Sequence, residues 1–290
     1  MSDNDSPRPI AVLGAGVMGT GITTLALGNG IPVVLVDLSD DVLSTARAQV
    51  RQQSRLATMM GAFPGGRAAG ELTTTTDIAD IAGAAAVIES VTERVDPKAA
   101  VLAAASAAVV PGTPIVSNTS AIPVDEMAQW VARPEDFLGV HFMNPPYLIR
   151  TVELIRGPRT GDAALATVRG LLDTLGQKAV LVGDGPGFVI NRILQRMINE
   201  AARIVEEGVA DAESVDAAFT GCLGHRSGPL ATADIIGLDN VVDSLWVLLE
   251  RTGDEGYRPC ELLQRKVKAG EHGRKTGHGF YEHGPHGGAR

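Results

Sequence analysis

The sequence predicts an α/β fold, a doubly wound sheet followed by an all-α C-terminal domain. Three observations predict it. The chain opens on a βαβ pattern, with short apolar runs at 10–13 and 32–36 around a helical segment. Strand and helix patterns then alternate as far as residue 182. After Gly183-Asp184-Gly185-Pro186-Gly187 no convincing strand pattern remains, and the periodic segments read as helix.

Taken in order, Ile10 to Leu13 is an apolar run that ends in glycines, Val17 to Asn29 reads as a helix, and Pro32 to Val36 as a buried strand. Asp40 to Met60 reads as a helix with Asp40 and Asp41 in its first turn, where the helix dipole favours negative charge. Gly61 to Gly70 holds four glycines and a proline and reads as a loop. Ala86 to Glu89 and Pro114 to Ser117 are strands on either side of an alanine-rich helix from Pro97 to Val109. Phe137 to His141 and Thr151 to Ile155 are two more, split by the turn-like Asn144-Pro145-Pro146, and Ala179 to Val182 is the last. Beyond it Phe188 to Glu207, Asp211 to Thr220, Leu238 to Arg251 and Arg258 to Val267 read as helices. The change of pattern divides the chain into residues 1–185 and 186–290. So many apolar faces on so small a helical bundle point to burial against a second copy, a homodimer. The Gly- and His-rich tail after Tyr281 reads as disordered.

Composition narrows the classes. The chain has 290 residues, 44% of them apolar but only 4% aromatic, so its core must be built from small aliphatic side chains. A net charge of −9 argues against nucleic acid and against an anionic membrane surface as partners. Cys222 and Cys260 match no metal-ligand spacing and read as two free thiols, with no metal site. The polar, proline-punctuated N-terminus lacks the apolar stretch of a signal peptide, and no apolar run reaches the roughly 18 residues of a membrane span. The expected location is the cytoplasm.

Gly14-Ala15-Gly16-Val17-Met18-Gly19 is a G-x-G-x-x-G motif. Alone it is weak, but here it follows a strand, opens a helix, and has Asp37 at the end of the next strand. Gly14 permits a tight turn, Gly16 lets backbone approach a pyrophosphate, and Gly19 lets helix pack close to strand. The helix N-terminus at Val17 and Met18 offers free N–H groups to phosphate. This is the dinucleotide fingerprint of a Rossmann sheet. Asp37 suits the adenosine ribose hydroxyls and would repel a 2′-phosphate, which favours NAD over NADP.

His141 ends a predicted strand, where open α/β sheets line their ligand crevice. A lone His there is more often structural than catalytic. The next strand, however, carries Glu153 between Val152 and Leu154, a costly place for a carboxylate without a partner. The Asn-Pro-Pro turn can fold that strand back and bring Glu153 to His141. Such a pair suits alcohol oxidation, the imidazole taking the hydroxyl proton while the carboxylate fixes its tautomer. From spacing alone, pairing and non-pairing stand about even. Asn118 and Ser120 follow another strand and could hold a substrate oxygen or a nicotinamide, although a polar turn or helix cap is the plainer reading. Asn191, in the first helix of the second domain, could reach a substrate, but a helical Asn is usually solvated.

Together these motifs resemble the L-3-hydroxyacyl-CoA dehydrogenase family, including 3-hydroxybutyryl-CoA dehydrogenases. The resemblance runs from about Pro9 to Glu282: the glycine fingerprint, Glu89-Ser90-Val91-Thr92-Glu93, Ser117 to Ser120, His141-Phe142-Met143-Asn144-Pro145, Val152-Glu153, Pro186 to Arg192, Gly237-Leu238-Asp239, and Gly273 to Tyr281. It implies that His141 and Glu153 form a catalytic pair, that Ser120 and Asn191 contact substrate oxygens, and that Asp37, Glu93, Lys98 and Asn118 bind NAD. It also implies a dimer built through the helical domain, and a structural rather than catalytic role for the segment around Lys275.

Two departures bear on the substrate. Acyl-CoA members often carry a lysine-rich helical arm after the second strand. Here that region runs through Gln52 to Arg67 and, counting Arg51 just before it, has only Arg51, Arg55 and Arg67 as cations, which suits a thioester on an acyl carrier protein better than free CoA. Asn144 to Arg150 and Arg226 to Leu230 look similar to dehydrogenases of alkoxymalonyl and hydroxymalonyl extender-unit pathways, which act on a glyceryl-acyl carrier protein in polyketide biosynthesis. The expected substrate is therefore a 3-hydroxyacyl thioester on CoA or on an acyl carrier protein. Gulonate or carnitine dehydrogenases, and an NAD-binding relative without turnover, are the competing readings.

Overall fold

A strand covered on both faces of a sheet has to be apolar throughout, and β1 (Ile10–Leu13) is four buried residues, Ile-Ala-Val-Leu. A computed structural model of the chain describes residues 7–66 and 68–284. Arg67, and the part of the tail from residue 285 onward, lie outside the described residues. The chain separates into two compact units, Met1–Gly185 and Pro186–Arg290.

In the first unit, α1 (Val17–Gly28) connects β1 to β2 (Val33–Val36), and α2 (Asp40–Met59) leads to β3 (Leu72–Thr75). β4 (Val87–Glu89), α3 (Val95–Ala108), β5 (Ile115–Ser117), the short α4 (Val124–Met127) and β6 (Phe137–His141) follow. β7 (Thr151–Arg156), α5 (Asp162–Thr174) and β8 (Lys178–Gly183) complete the unit. The strands lie in the order β3-β2-β1-β4-β5-β6-β7-β8. All neighbours are parallel except β6 and β7, which run antiparallel. The strand order reverses between β1 and β4, and at such a point the crevice beyond the carboxyl ends is open to a ligand. Leu13, Val36, Glu89, Ser117 and His141 end the strands on that side.

β3, α4 and α5 were not expected from the sequence. β3 reads Leu-Thr-Thr-Thr and lies half-buried at the sheet edge, so it lacks the apolar run that marks the inner strands. α5 presents Ala164, Leu165, Val168 and Leu172 to the core, but Gly170 interrupts its pattern.

The second unit is helical: α6 (Ile190–Glu206), α7 (Ala212–Leu223), α8 (Pro229–Ile236), α9 (Leu238–Thr252) and α10 (Glu261–Lys268). They close around Ile198, Leu230, Val241, Leu245 and Leu263. α6 begins later than its apolar pattern suggests, because Gly187 and Phe188 both take left-handed backbone (φ 69° and 49°), which ends any helix running through them. Asp211 caps α7 by accepting the Ser214 N–H at 2.8 Å. α8 was not expected from the sequence; its eight residues follow Gly228 with Pro229 at the first helical position.

Buried Asp234 on α8 fastens the segment after α10. Its carboxylate accepts the N–H groups of Phe280 (2.9 Å) and Tyr281 (3.0 Å) and pairs with His283 at 2.8 Å. The Tyr281 hydroxyl donates to Asp216 at 2.8 Å, and burial together with that carboxylate raises its pKa. Among the described residues no helix is long and apolar enough to cross a membrane.

Candidate active site

The glycine turn follows its geometry closely. Gly14 has φ 96°, and a Cβ there would lie 2.7 Å from the Ser90 carbonyl oxygen. A Cβ at Gly19 would lie 1.8 Å from the Gly14 carbonyl oxygen, so only glycine lets α1 approach the turn this closely. A Cβ at Gly16 would meet nothing within 4 Å. The fold does not need glycine there, and the space above it is open. Gly16 is the N-cap of α1, and no side chain satisfies the helix's first N–H groups. Val17 is largely exposed, whereas Met18 packs against the core, so Met18 can offer a ligand its N–H rather than its side chain.

Asp37 follows β2 beside this turn. One carboxylate oxygen accepts the Ala15 N–H at 2.7 Å and the other the Leu38 N–H at 2.7 Å. Unsatisfied helix N–H groups, an open glycine and an adjacent carboxylate fit the pyrophosphate and ribose of NAD.

The antiparallel pairing of β6 and β7 sets His141 directly opposite Glu153. Their side chains meet, with His141 Nδ1 2.8 Å from Glu153 Oε2, and both residues are buried. A proton on Nδ1 satisfies the carboxylate and puts the basic lone pair on Nε2. Asn118, just past β5, accepts the Phe142 N–H at 2.9 Å through its side-chain carbonyl. The residue after His141 is thereby tied to the neighbouring strand end, and the Asn118 NH₂ remains for a ligand.

The 119–121 turn is held by Glu93. One Glu93 oxygen accepts the Thr119 hydroxyl (2.5 Å) and the N–H groups of Ser120 (2.9 Å) and Ala121 (3.1 Å). The other lies 3.1 Å from Lys98 Nζ. Burial disfavours the charge on Glu93, but Lys98 and these hydrogen bonds outweigh it and hold its pKa below the ordinary carboxylate value. Lys98 is wholly buried and also donates to both oxygens of buried Glu89, at 2.9 and 3.0 Å. Burial alone would lower the Lys98 pKa, yet Glu89 and Glu93 raise it. An ammonium has three protons, and here each faces a carboxylate oxygen. Glu89 carried no assigned role in the sequence; its signal was a charged residue closing an apolar strand. Asn191 lies in the second unit, in the first turn of α6.

A glycine turn and acid at the reversal point of a parallel sheet, with an imidazole–carboxylate pair at a neighbouring carboxyl end, define a dinucleotide-dependent dehydrogenase. The NAD-binding domain of 3-hydroxyacyl-CoA dehydrogenase matches residues 9–185, and that enzyme's C-terminal domain matches residues 187–283. The chain belongs to the 3-hydroxyacyl-CoA dehydrogenase family and is an NAD-dependent oxidoreductase.

It is 38% identical over 281 residues to 3-hydroxybutyryl-CoA dehydrogenase of Bradyrhizobium diazoefficiens, covering 95% of both chains. It is 37% identical over 284 residues to a probable 3-hydroxybutyryl-CoA dehydrogenase of Bacillus subtilis, covering 95% of this chain and 97% of the other. The crystal structure of (S)-3-hydroxybutyryl-CoA dehydrogenase PaaH1 from Ralstonia eutropha superposes with a TM-score of 0.88 at 36% identity, covering 96% of this chain and 99% of that one. These relatives do not favour the glyceryl-acyl carrier protein, gulonate or carnitine readings.

Proposed function

We propose that the chain interconverts a short (S)-3-hydroxyacyl-CoA and its 3-oxoacyl-CoA, with His141 as the base. The observation that carries this is the buried 2.8 Å contact between His141 and Glu153 at a carboxyl end of the sheet. His141 Nε2 takes the proton of the 3-hydroxyl as the C3–H bond breaks, and Glu153 stabilises the imidazolium that forms. When bound, NAD⁺ supplies the hydride acceptor. Asp37 receives the ribose diol, the α1 N-terminus the pyrophosphate, and the Asn118 NH₂ and the 119–121 turn line the reacting end. The Ser120 hydroxyl holds the substrate oxygen; for Asn191 a substrate contact rests on the family resemblance.

The relatives' names support CoA as the carrier. Exposed Ile193, Val209, Leu223 and Ile235 on the helical unit support its role in substrate binding and in a homodimer. The two free cysteines support work in the cytoplasm. The test is NADH formation from (S)-3-hydroxybutyryl-CoA compared with the same acyl group on an acyl carrier protein. Faster turnover of CoA is expected; turnover of the carrier-protein thioester alone would overturn the carrier assignment.

A further inference from the structure

Two charged residues beneath the 119–121 turn are sealed from solvent, so they cannot take part in the chemistry directly. Glu89 closes β4 with no exposed surface. One of its oxygens accepts the Val91 N–H (2.8 Å) and Lys98 (2.9 Å), the other the Ser117 hydroxyl (2.5 Å) and Lys98 (3.0 Å). Lys98 donates its third N–H to Glu93 at 3.1 Å. Glu93, whose side chain is 37% exposed, is the only member of the three that reaches the surface, and its other oxygen gathers Thr119, Ser120 and Ala121.

Glu89 and Lys98 pair in a dry place, and Glu93 adds a second carboxylate at its edge, a net negative charge. Ion pairs of that kind are a poor source of stability, because desolvation cancels much of the attraction. Their geometry, however, is strongly determined, since each donor and acceptor has one place to go. Without Glu89, Lys98 would have Glu93 as its sole counter-charge, and Glu93 would be drawn inward, away from the turn.

We propose that Glu89 and Lys98 are positioning residues: Glu89 fixes Lys98, Lys98 fixes Glu93, and Glu93 fixes the turn that presents the Ser120 hydroxyl. Neither Glu89 nor Lys98 has exposed surface of its own. For Lys98, which the family resemblance assigns to the cofactor, the tether through Glu93 is a role in addition to that one. The proposal rests on the reading of Ser120 as a substrate contact.

Amide hydrogen exchange on the full chain tests the tether without reference to turnover. In Glu89→Leu and Lys98→Met, the Ser120 and Ala121 N–H groups should exchange roughly tenfold faster or more. Unchanged exchange in both variants overturns the proposal. A double-mutant cycle with Ser120→Ala tests the consequence. Glu89→Leu should lower kcat for (S)-3-hydroxybutyryl-CoA about tenfold or more while the NADH Kd changes less than about threefold, since small misplacement of a reacting group is expensive. In the Ser120→Ala background the same change should cost less than about twofold; additive losses overturn the proposal. Glu89→Gln should lose less than Glu89→Leu without reaching wild type, because its amide oxygen still accepts Val91 and Lys98 while its neutral NH₂ replaces a carboxylate oxygen that faced Lys98. Should Glu89→Leu fail to fold, Lys98→Met carries the same measurements. A silent Ser120→Ala variant would instead remove Ser120 from catalysis, and the exchange data would still decide whether Glu89 holds the turn.

Discussion

The carboxylate of Asp37 accepts the backbone N–H of Ala15 at 2.7 Å. The acid proposed for the ribose and the turn proposed for the pyrophosphate are therefore fixed to one another by the protein itself. Asp37→Ala should weaken NADH binding and relax discrimination against NADPH, because the 2′-phosphate no longer meets a negative charge. Paired Kd measurements check this; equal NADH affinity in the variant would remove Asp37 from the site.

The glycines of the turn should separate into two kinds. Gly19→Ala places a methyl against the Gly14 carbonyl and should lower stability by roughly 1–3 kcal/mol, with loss of NADH binding. Gly16→Ala meets no protein atom and should keep its Tm while losing NADH affinity. Thermal melts with and without NADH distinguish the two; a large Tm drop for Gly16→Ala would contradict the open space seen above it.

His141→Ala should bind NADH normally and lose about 10²- to 10⁴-fold in kcat, the usual range for a general base. Glu153→Gln should fold, turn over more slowly and displace the acid limb of the pH–rate profile. A wild-type profile in the glutamine variant would mean that the buried contact is catalytically idle.

Glu93 and Lys98 set a pH window for the turn. Glu93 has a lowered folded pKa, so its stabilisation is complete above its ordinary value of 4.5 and is lost as pH falls through the lower folded value. Lys98 has a raised folded pKa, so its share is complete below 10.5 and is lost as pH rises beyond it. The Tm difference between wild type and Glu93→Gln should be steady near neutrality and shrink on acidification below 4.5. A difference that stays constant into strong acid would argue against an ionised Glu93 holding the turn.

In the helical unit, Asp234→Ala would leave the N–H groups of Phe280 and Tyr281 without their acceptor and His283 without its partner. The expected cost is about 2–4 kcal/mol, a few times that of one unsatisfied buried group. Denaturant unfolding of the full chain measures it, and a loss near zero would show that the segment is held by its apolar contacts alone.

The parts of the site legible in the sequence are those where a local rule has one physical solution. The glycine spacing has one such solution; Glu153, a carboxylate in an apolar strand beyond an Asn-Pro-Pro turn, asks for a partner, but spacing leaves pairing with His141 about even and only the resemblance favours it. β3 was not legible because threonines at a half-buried edge carry no apolar alternation. The Glu89–Lys98–Glu93 cluster was not legible either. Its members lie on a strand, a helix and the loop between them, and no periodicity links positions 89, 93 and 98. The resemblance suggested that Lys98 and Glu93 matter, but only the coordinates show that the lysine spends all its donors on carboxylates.

His141 and Glu153 are partners across a ladder, only twelve positions apart in the chain. Because side chains alternate faces along a strand, sliding either strand by a single position would turn the acid to the opposite side of the sheet. One residue inserted between 139 and 141, or between 153 and 155, would therefore take His141 and Glu153 apart. In this hairpin the pair is kept by counting.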